Sequence, residues 1–286
     1  MTTISVLLPV RNGARYVREA LDSIFAQTFR DFEVIVIDDA STDETPSLLR
    51  DSRLTVIRSE KRLGIAGSLN RGWPLCRGRY IARMDADDLS APERFAKQVA
   101  FMDAHPDVGV CGTWVRMFAD GWHRDRELET DRERIRCTLL LRNTLSHPSA
   151  MLRRELFERH ALRYDESFTN SEDFDLWSRA SHHFALANIP EFLLLYRVHD
   201  EQAGKNRKVR LAEAFRVQQA QLDRLGAQLT PEQMEFHRAV SLGEAASPEL
   251  AEGWMNAILA ANARAGIYAQ GVLRDVLKSF VATERG

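Results

Sequence analysis

The chain has 286 residues, 44% hydrophobic and 28% charged, with a formal net charge of −2. That length allows one large domain or two ordinary ones around a substantial core, and the charge balance gives no general pull toward nucleic acid or an anionic membrane. Cys76, Cys111 and Cys137 are widely spaced, form no pair with metal-ligand spacing, and in their odd number suit a reducing compartment better than a disulfide framework.

Ile4 to Leu8 is an apolar run too short for a signal-peptide core and without a basic flank, so it predicts a buried strand. No stretch approaches the roughly 20 apolar residues that span a bilayer. The cytoplasm is the expected location, with the inner face of the membrane as an alternative. After Asn12-Gly13, Val17, Leu21, Ile24 and Phe25 fall at helical spacing, with Asn12 as the expected N-cap. Phe32 to Ile37 predicts a second strand ending in Asp38-Asp39, and Ser41-x-x-Glu44 a capping box. Leu54 to Ile57 predicts a strand, Gly64 to Gly72 a short helix, and Tyr80 to Met84 a strand running into Asp85. Ser90-Ala91-Pro92-Glu93 reads as another capping box before a helix carrying Phe95, Val99 and Met102. This alternation over the first 90 residues is the pattern of β-α-β units around a parallel sheet.

Beyond Asp107 the rhythm breaks. Val108 to Phe118 predicts one or two strands, Asp131 to Leu141 a helix, Ser149 to Leu152 a short strand and Glu172 to Ala180 a helix. Phe184 to Val198 holds an apolar run broken by Pro190. Past Asp200 only helices are expected, near 207–225, 231–243 and 248–282, the second started by Thr230-Pro231-Glu232. The division expected is therefore 1–200 and a helical extension over 201–286. Packing against the first part is the expected use of that extension, with dimerisation or membrane-surface contact as alternatives. A basic cluster, Lys205, Arg207, Lys208 and Arg210, opens it and reads as a solvated face, or one toward anionic lipid or phosphate.

Two acidic clusters end predicted strands: Asp38-Asp39, and Asp85, Asp87 and Asp88. In an open α/β sheet, ligands bind outside the carboxyl ends of the strands. Three carboxylates within four residues repel one another unless a cation offsets them, and Asp85-x-Asp87 suits Mg²⁺ or Mn²⁺ carrying phosphates. Helix capping is the plainer alternative for either cluster alone. No glycine-rich phosphate loop follows the first strand, which argues against a nucleotidyltransferase or a dinucleotide oxidoreductase.

An ordered series of segments over residues 3–200 resembles the family 2 glycosyltransferases of the GT-A fold: SVLLPVRNGARYVREALDSIFAQTF, VIVIDDASTDET, RLGIAGSLNRGWPLCRGRYIARMDADDLSAPERF, LSHPSAMLRRELF, YDESFTNSEDFDLWSRA and YRVH. The resemblance implies a GT-A-type, Rossmann-like nucleotide-binding mixed sheet flanked by helices, with the helical C-terminal extension beyond it. It also implies metal-dependent, inverting transfer of a hexosyl group from a nucleotide-diphosphate sugar, a uridine donor being commonest. The acceptor would be a glycan, a lipid-linked sugar or a protein. Carried over by position, Pro9, Val10 and Arg11 fall in the loop that holds the nucleotide, Asp39 contacts the base, and Arg62 and Gly64 line base and ribose. Asp85 and Asp87 match the DxD motif, Asp87 as direct metal ligand and Asp85 as a ribose or metal-shell partner; Asp88 is expected to cap the next helix. Asp173, in Asn170-Ser171-Glu172-Asp173, matches the general base, and His199 a position that reaches the metal or diphosphate. Capping of a helix N-terminus is the alternative for Asp173, and a surface histidine for His199. His147-Pro148-Ser149 falls on the acceptor side or forms a turn. Trp177 reads as core, and Trp114 and Trp122 flank a region that could face acceptor sugar. A non-enzymatic scaffold that kept the fold is the rival reading.

Overall fold

The computed structural model describes residues 2–200, 207–244 and 247–282. Its elements in chain order are β1 (Ile4–Val10), α1 (Val17–Phe25), β2 (Phe32–Asp38), α2 (Thr45–Leu48), β3 (Leu54–Arg58), α3 (Gly64–Gly72), β4 (Tyr80–Arg83), β5 (Leu89–Ser90), α4 (Arg94–Ala104), β6 (Val108–Ala119), β7 (Trp122–Arg126), α5 (Arg132–Thr138), β8 (Met151–Arg153), α6 (Arg154–Arg159), α7 (Glu172–Ala180) and β9 (Ala185–Arg197), then α8 (Arg207–Leu225), α9 (Pro231–Ser241), α10 (Pro248–Ala265) and α11 (Gln270–Ala282).

The strands form one mixed sheet in the order β3-β2-β1-β4-β8-β6-β9-β5, with β7 paired to β6. β1, β2, β3 and β4 run parallel, while β8 is antiparallel to both β4 and β6. Every residue of β1 is buried, as an unbroken apolar run requires of a strand covered on both faces. One apolar cluster joins α1 and α4 to one face of the sheet; another joins α3, α6 and α7 to the other. Because β1 is flanked by β2 on one side and β4 on the other, the order reverses at β1. A crevice opens there, at the carboxyl ends of the strands.

Three expected caps are absent. α1 starts at Val17, and Asn12 instead sits in the left-handed region (φ 50°) with its Oδ1 accepting from Thr42 N at 2.9 Å. Ser41 Oγ accepts from Asn12 N at 3.0 Å, so both residues stitch the loops after β1 and β2 to each other. Ser90 lies in β5, where its Oγ accepts from Gln27 Nε2 at 3.1 Å. The Thr230 box does form, with Gln233 as its reciprocal partner. Pro190 does not end β9. A register shift beside Thr113 leaves Pro190 and Glu191 unpaired, which is how a strand accommodates a residue with no N–H to donate. The hairpin from β6 to β7 turns at Asp120-Gly121, with Gly121 at φ 72°. The expected last helix is two, divided where Gly266 ends α10 in the left-handed region.

The C-terminal helices share a third cluster, including Trp254, Ile258, Leu273 and Leu277, with Cys137, Leu140 and Leu141 of and after α5. Their apolar faces therefore pack on the sheet-bearing part. Cys76, Cys111 and Cys137 are separate buried thiols, each pushed up to about 12 first by burial. No described helix is long and apolar enough to cross a membrane.

Close packing beneath the crevice makes one stability prediction. A Cβ at Gly72 would lie 2.3 Å from Leu7 Cδ1 and 3.1 Å from Ile37 Cγ1, both fully buried. Gly72→Ala gains up to about 1 kcal/mol of helix propensity but overpacks the core by about 1–3 kcal/mol. A net loss of stability is expected in urea titration.

Candidate active site

The β4 strand sets the floor. Arg83, 2% exposed, ends it and pairs with Asp85 directly above. Ligand oxygens of Asp85, Asp87 and Asp88 lie within 4.8 Å of one another. Asp88 caps nothing: its Oδ1 accepts from Arg197 N of β9 at 2.8 Å, while its buried Oδ2 has no partner. Burial first, then the Asp85 and Asp87 charges, raise the Asp88 pKa well above its ordinary value. Hard oxygen donors crowded together, one of them orphaned, are a set that Mn²⁺ or Mg²⁺ fits. Asp87 Oδ2 also meets His199 Nε2 at 2.9 Å, and the His199 ring lies 4.8 Å from that of Tyr16. Asp85, Asp87 and His199 are thus brought together.

Toward β2, Asp39 is 4% exposed. Its carboxylate accepts from Leu63 N at 2.5 Å and Gly64 N at 3.0 Å, so it fixes the start of α3 where Gly64 takes φ 76°. Each oxygen keeps a second lone pair. Pro9 and Val10 end β1 beside this loop. Arg11 donates from Nη1 to the carbonyls of Asp39 (2.9 Å) and Ala40 (3.1 Å), which clamps the loop and occupies that side chain. Arg62 is exposed and makes no polar contact among the described residues.

A cleft of about 400 Å³ runs from Ile65, Asp85 and Asp87 to Asn143, His147, Glu172 and Asp173. Asp173 stands in the first turn of α7. Its Oδ2 accepts from Asn143 Nδ2 and its Oδ1 from Phe174 N, both at 2.7 Å. Burial above all, with the neighbouring Glu172 charge, raises its pKa. Beside it His147 is pushed down to about 3, first by burial and then by Arg83. It is therefore neutral at ordinary pH, with its Nε2 2.9 Å from the Tyr164 hydroxyl. Asn143 was not legible in the sequence, because it lies 30 residues from the carboxylate that it holds. Trp177 is fully buried, as its helical spacing implied. Trp114 is partly buried and donates to Leu128 O at 2.9 Å, whereas Trp122 is 45% exposed on the hairpin. Lys205 of the basic cluster lies outside the described residues, and Arg207, Lys208 and Arg210 are exposed on α8.

The family model described as glycosyl transferase family 2 matches residues 5–161. The chain belongs to that family. It is 32% identical over 214 residues to the Escherichia coli O-antigen biosynthesis glycosyltransferase WbnJ, covering 71% of this chain and 82% of the relative. S. aureus TarS (residues 1–349), solved with UDP-GlcNAc, superposes with a TM-score of 0.67 at 21% identity, covering 98% of this chain and 91% of that one. The mannosyltransferase PcManGT from Pyrobaculum calidifontis, solved with GDP-Man and Mn²⁺, gives 0.60 at 20% identity, covering 99% and 88%. At such identities the two structures establish the shared fold.

Proposed function

We propose that this family 2 glycosyltransferase moves a hexosyl group, with inversion, from a nucleoside-diphosphate sugar to a glycan, lipid-linked or protein acceptor in bacterial polysaccharide or glycoconjugate synthesis. A uridine donor is the first candidate, as in the TarS complex; the O-antigen role of WbnJ supports the pathway class. The carrying observation is that one cleft is lined by Asp85 and Asp87 of the acidic group and by Asp173, whose pKa burial raises.

The nucleotide would lie across the ends of β2, β1 and β4, with its base against Asp39 and the Gly64 turn, and with Pro9, Val10 and Arg62 around it. Asp87, Asp85 and His199 would hold Mn²⁺ or Mg²⁺. When bound, that ion supplies charge neutralisation to the departing diphosphate. The acceptor hydroxyl attacks the anomeric carbon, the bond from that carbon to the phosphate oxygen breaks, and the diphosphate leaves with the electron pair. Asp173 takes the hydroxyl proton from the side opposite the phosphates. Asn143 holds the carboxylate in place, and His147 beside it is neutral. A raised pKa brings the carboxylate's proton affinity nearer the working pH, where general bases act best.

Calorimetric titration of UDP, GDP and dTDP, with Mn²⁺ and then with EDTA, tests the donor site. Metal-dependent binding of one nucleotide is expected. Binding of none under either condition, by folded protein, would favour the inactive scaffold.

A further inference from the structure

Two guanidinium groups line the acceptor end of the cleft beside the carboxylates of Glu172 and Asp173. At the donor end Arg83 pairs with Asp85, and His199 meets Asp87. Arg126 and Arg210 line the same cleft beside Asp173. Neither makes an ion pair or a side-chain hydrogen bond among the described residues. Asp173 acts on Arg126 through its charge alone, with its two oxygens held by Asn143 and Phe174 N.

Both arginines are delivered by built structure. Arg126 ends β7, opposite Val115 of β6, and Val115 lines the cleft as well. Arg210 lies in the first turn of α8, and its carbonyl accepts from Ser171 Oγ at 3.4 Å. One turn later Glu213 accepts from Thr169 N, Thr169 Oγ1 and Asn170 N at 2.8–2.9 Å. The start of α8 is thereby tied to the loop that leads into Asp173. Arg142, adjacent to Asn143, adds a third guanidinium, 4.6 Å over the Phe280 ring. Its pKa is lowered by burial first and then by the Arg126 charge. Like charges gathered at one cleft disfavour one another until an anion arrives. Guanidinium forks suit phosphate oxygens, and more than one fork suits a multiply charged anion.

We propose that Arg126 and Arg210, backed by Arg142, form an anion subsite that holds a phosphate or diphosphate carried by the acceptor, next to Asp173. The word acceptor rests on the glycosyltransferase reading; the anion site does not. Arg126 reaches the cleft from β7 and Arg210 from α8, whereas the donor diphosphate would lie by the Asp85–Asp87–Asp88 group after β4.

The test titrates inorganic pyrophosphate into the full chain in EDTA, so that no metal carries the anion, and compares Arg126→Gln/Arg210→Gln. Both side chains are exposed, so the double variant is expected to fold and its melting point checks this. The parent should bind pyrophosphate and the variant should lose about tenfold or more, the scale of charge-assisted hydrogen bonds. UDP affinity with Mn²⁺ should stay unchanged. Absence of binding by the parent, or equal binding by the variant, would overturn the subsite. An equal loss of Mn²⁺–UDP affinity would assign the arginines to the donor and overturn the acceptor proposal. Flotation with phosphatidylglycerol vesicles separates a bilayer source: if the arginines are needed for flotation but not for pyrophosphate, the subsite fails. Failure of the parent to bind any nucleotide would instead defeat the glycosyltransferase reading, and it is read separately.

Discussion

Asp173→Asn is expected to lower turnover by roughly 10²-fold or more, the scale of general-base catalysis, while leaving donor binding nearly intact. An amide cannot take the acceptor proton. It can keep one of the native hydrogen bonds, accepting from Phe174 N through its own oxygen. Its NH₂ would then face Asn143 Nδ2, which must rotate and surrender the 3.1 Å bond that its Oδ1 receives from Leu145 N. That rearrangement costs about 1 kcal/mol, too little to explain a loss of 10²-fold. The pH profile gives an independent reading. Burial raises the Asp173 pKa above 3.8, so the protonated, inactive form persists to higher pH than for an ordinary aspartate. kcat should fall as the pH drops through that raised value, giving an acid limb above 3.8 in the parent. Unchanged turnover in the variant would remove Asp173 from its role.

Asp87→Ala should weaken Mn²⁺-dependent binding of the nucleoside diphosphate by about 10²-fold or more, at or beyond the cost of disturbing a metal's outer partners. The substitution removes one carboxylate of the group and one partner of His199. It should not unfold the protein, since losing Asp87 relieves repulsion on the buried Asp88. Calorimetry with Mn²⁺ and with EDTA checks both arms. A variant that binds the nucleotide as tightly as the parent does with Mn²⁺ would take the metal away from Asp87.

The parallel half of the sheet was legible because its signal is local. β1, β2 and β4 are short apolar runs, and carboxylates follow the ends of β2 and β4, which any ordering of parallel strands would place along one edge. What was misread involves side chains with two available uses. Asn12, Ser41 and Ser90 have the chemistry of caps, yet their partners lie across loops 28 or more residues away, where no local pattern reaches. The second half of the cleft was harder still. Arg126 arrives on a hairpin strand absent from the sequence reading, Asn143 follows α5, and Arg210 reaches the cleft from α8. Asp173 was marked only by resemblance, because a carboxylate in the first turn of a helix is equally a dipole partner. Pro190 shows the converse. A breaker in the sequence became a bulge once β6 could pair on either side of it.

Inversion is tested most directly by proton NMR of the first sugar released from whichever α-linked nucleotide sugar the titration selects, with Mn²⁺ present and water as acceptor. Direct displacement assisted by Asp173 predicts the β-anomer first, followed by slow mutarotation, and no release above background from Asp173→Asn. The α-anomer appearing first would contradict it, since retention demands a different set of groups around the anomeric carbon.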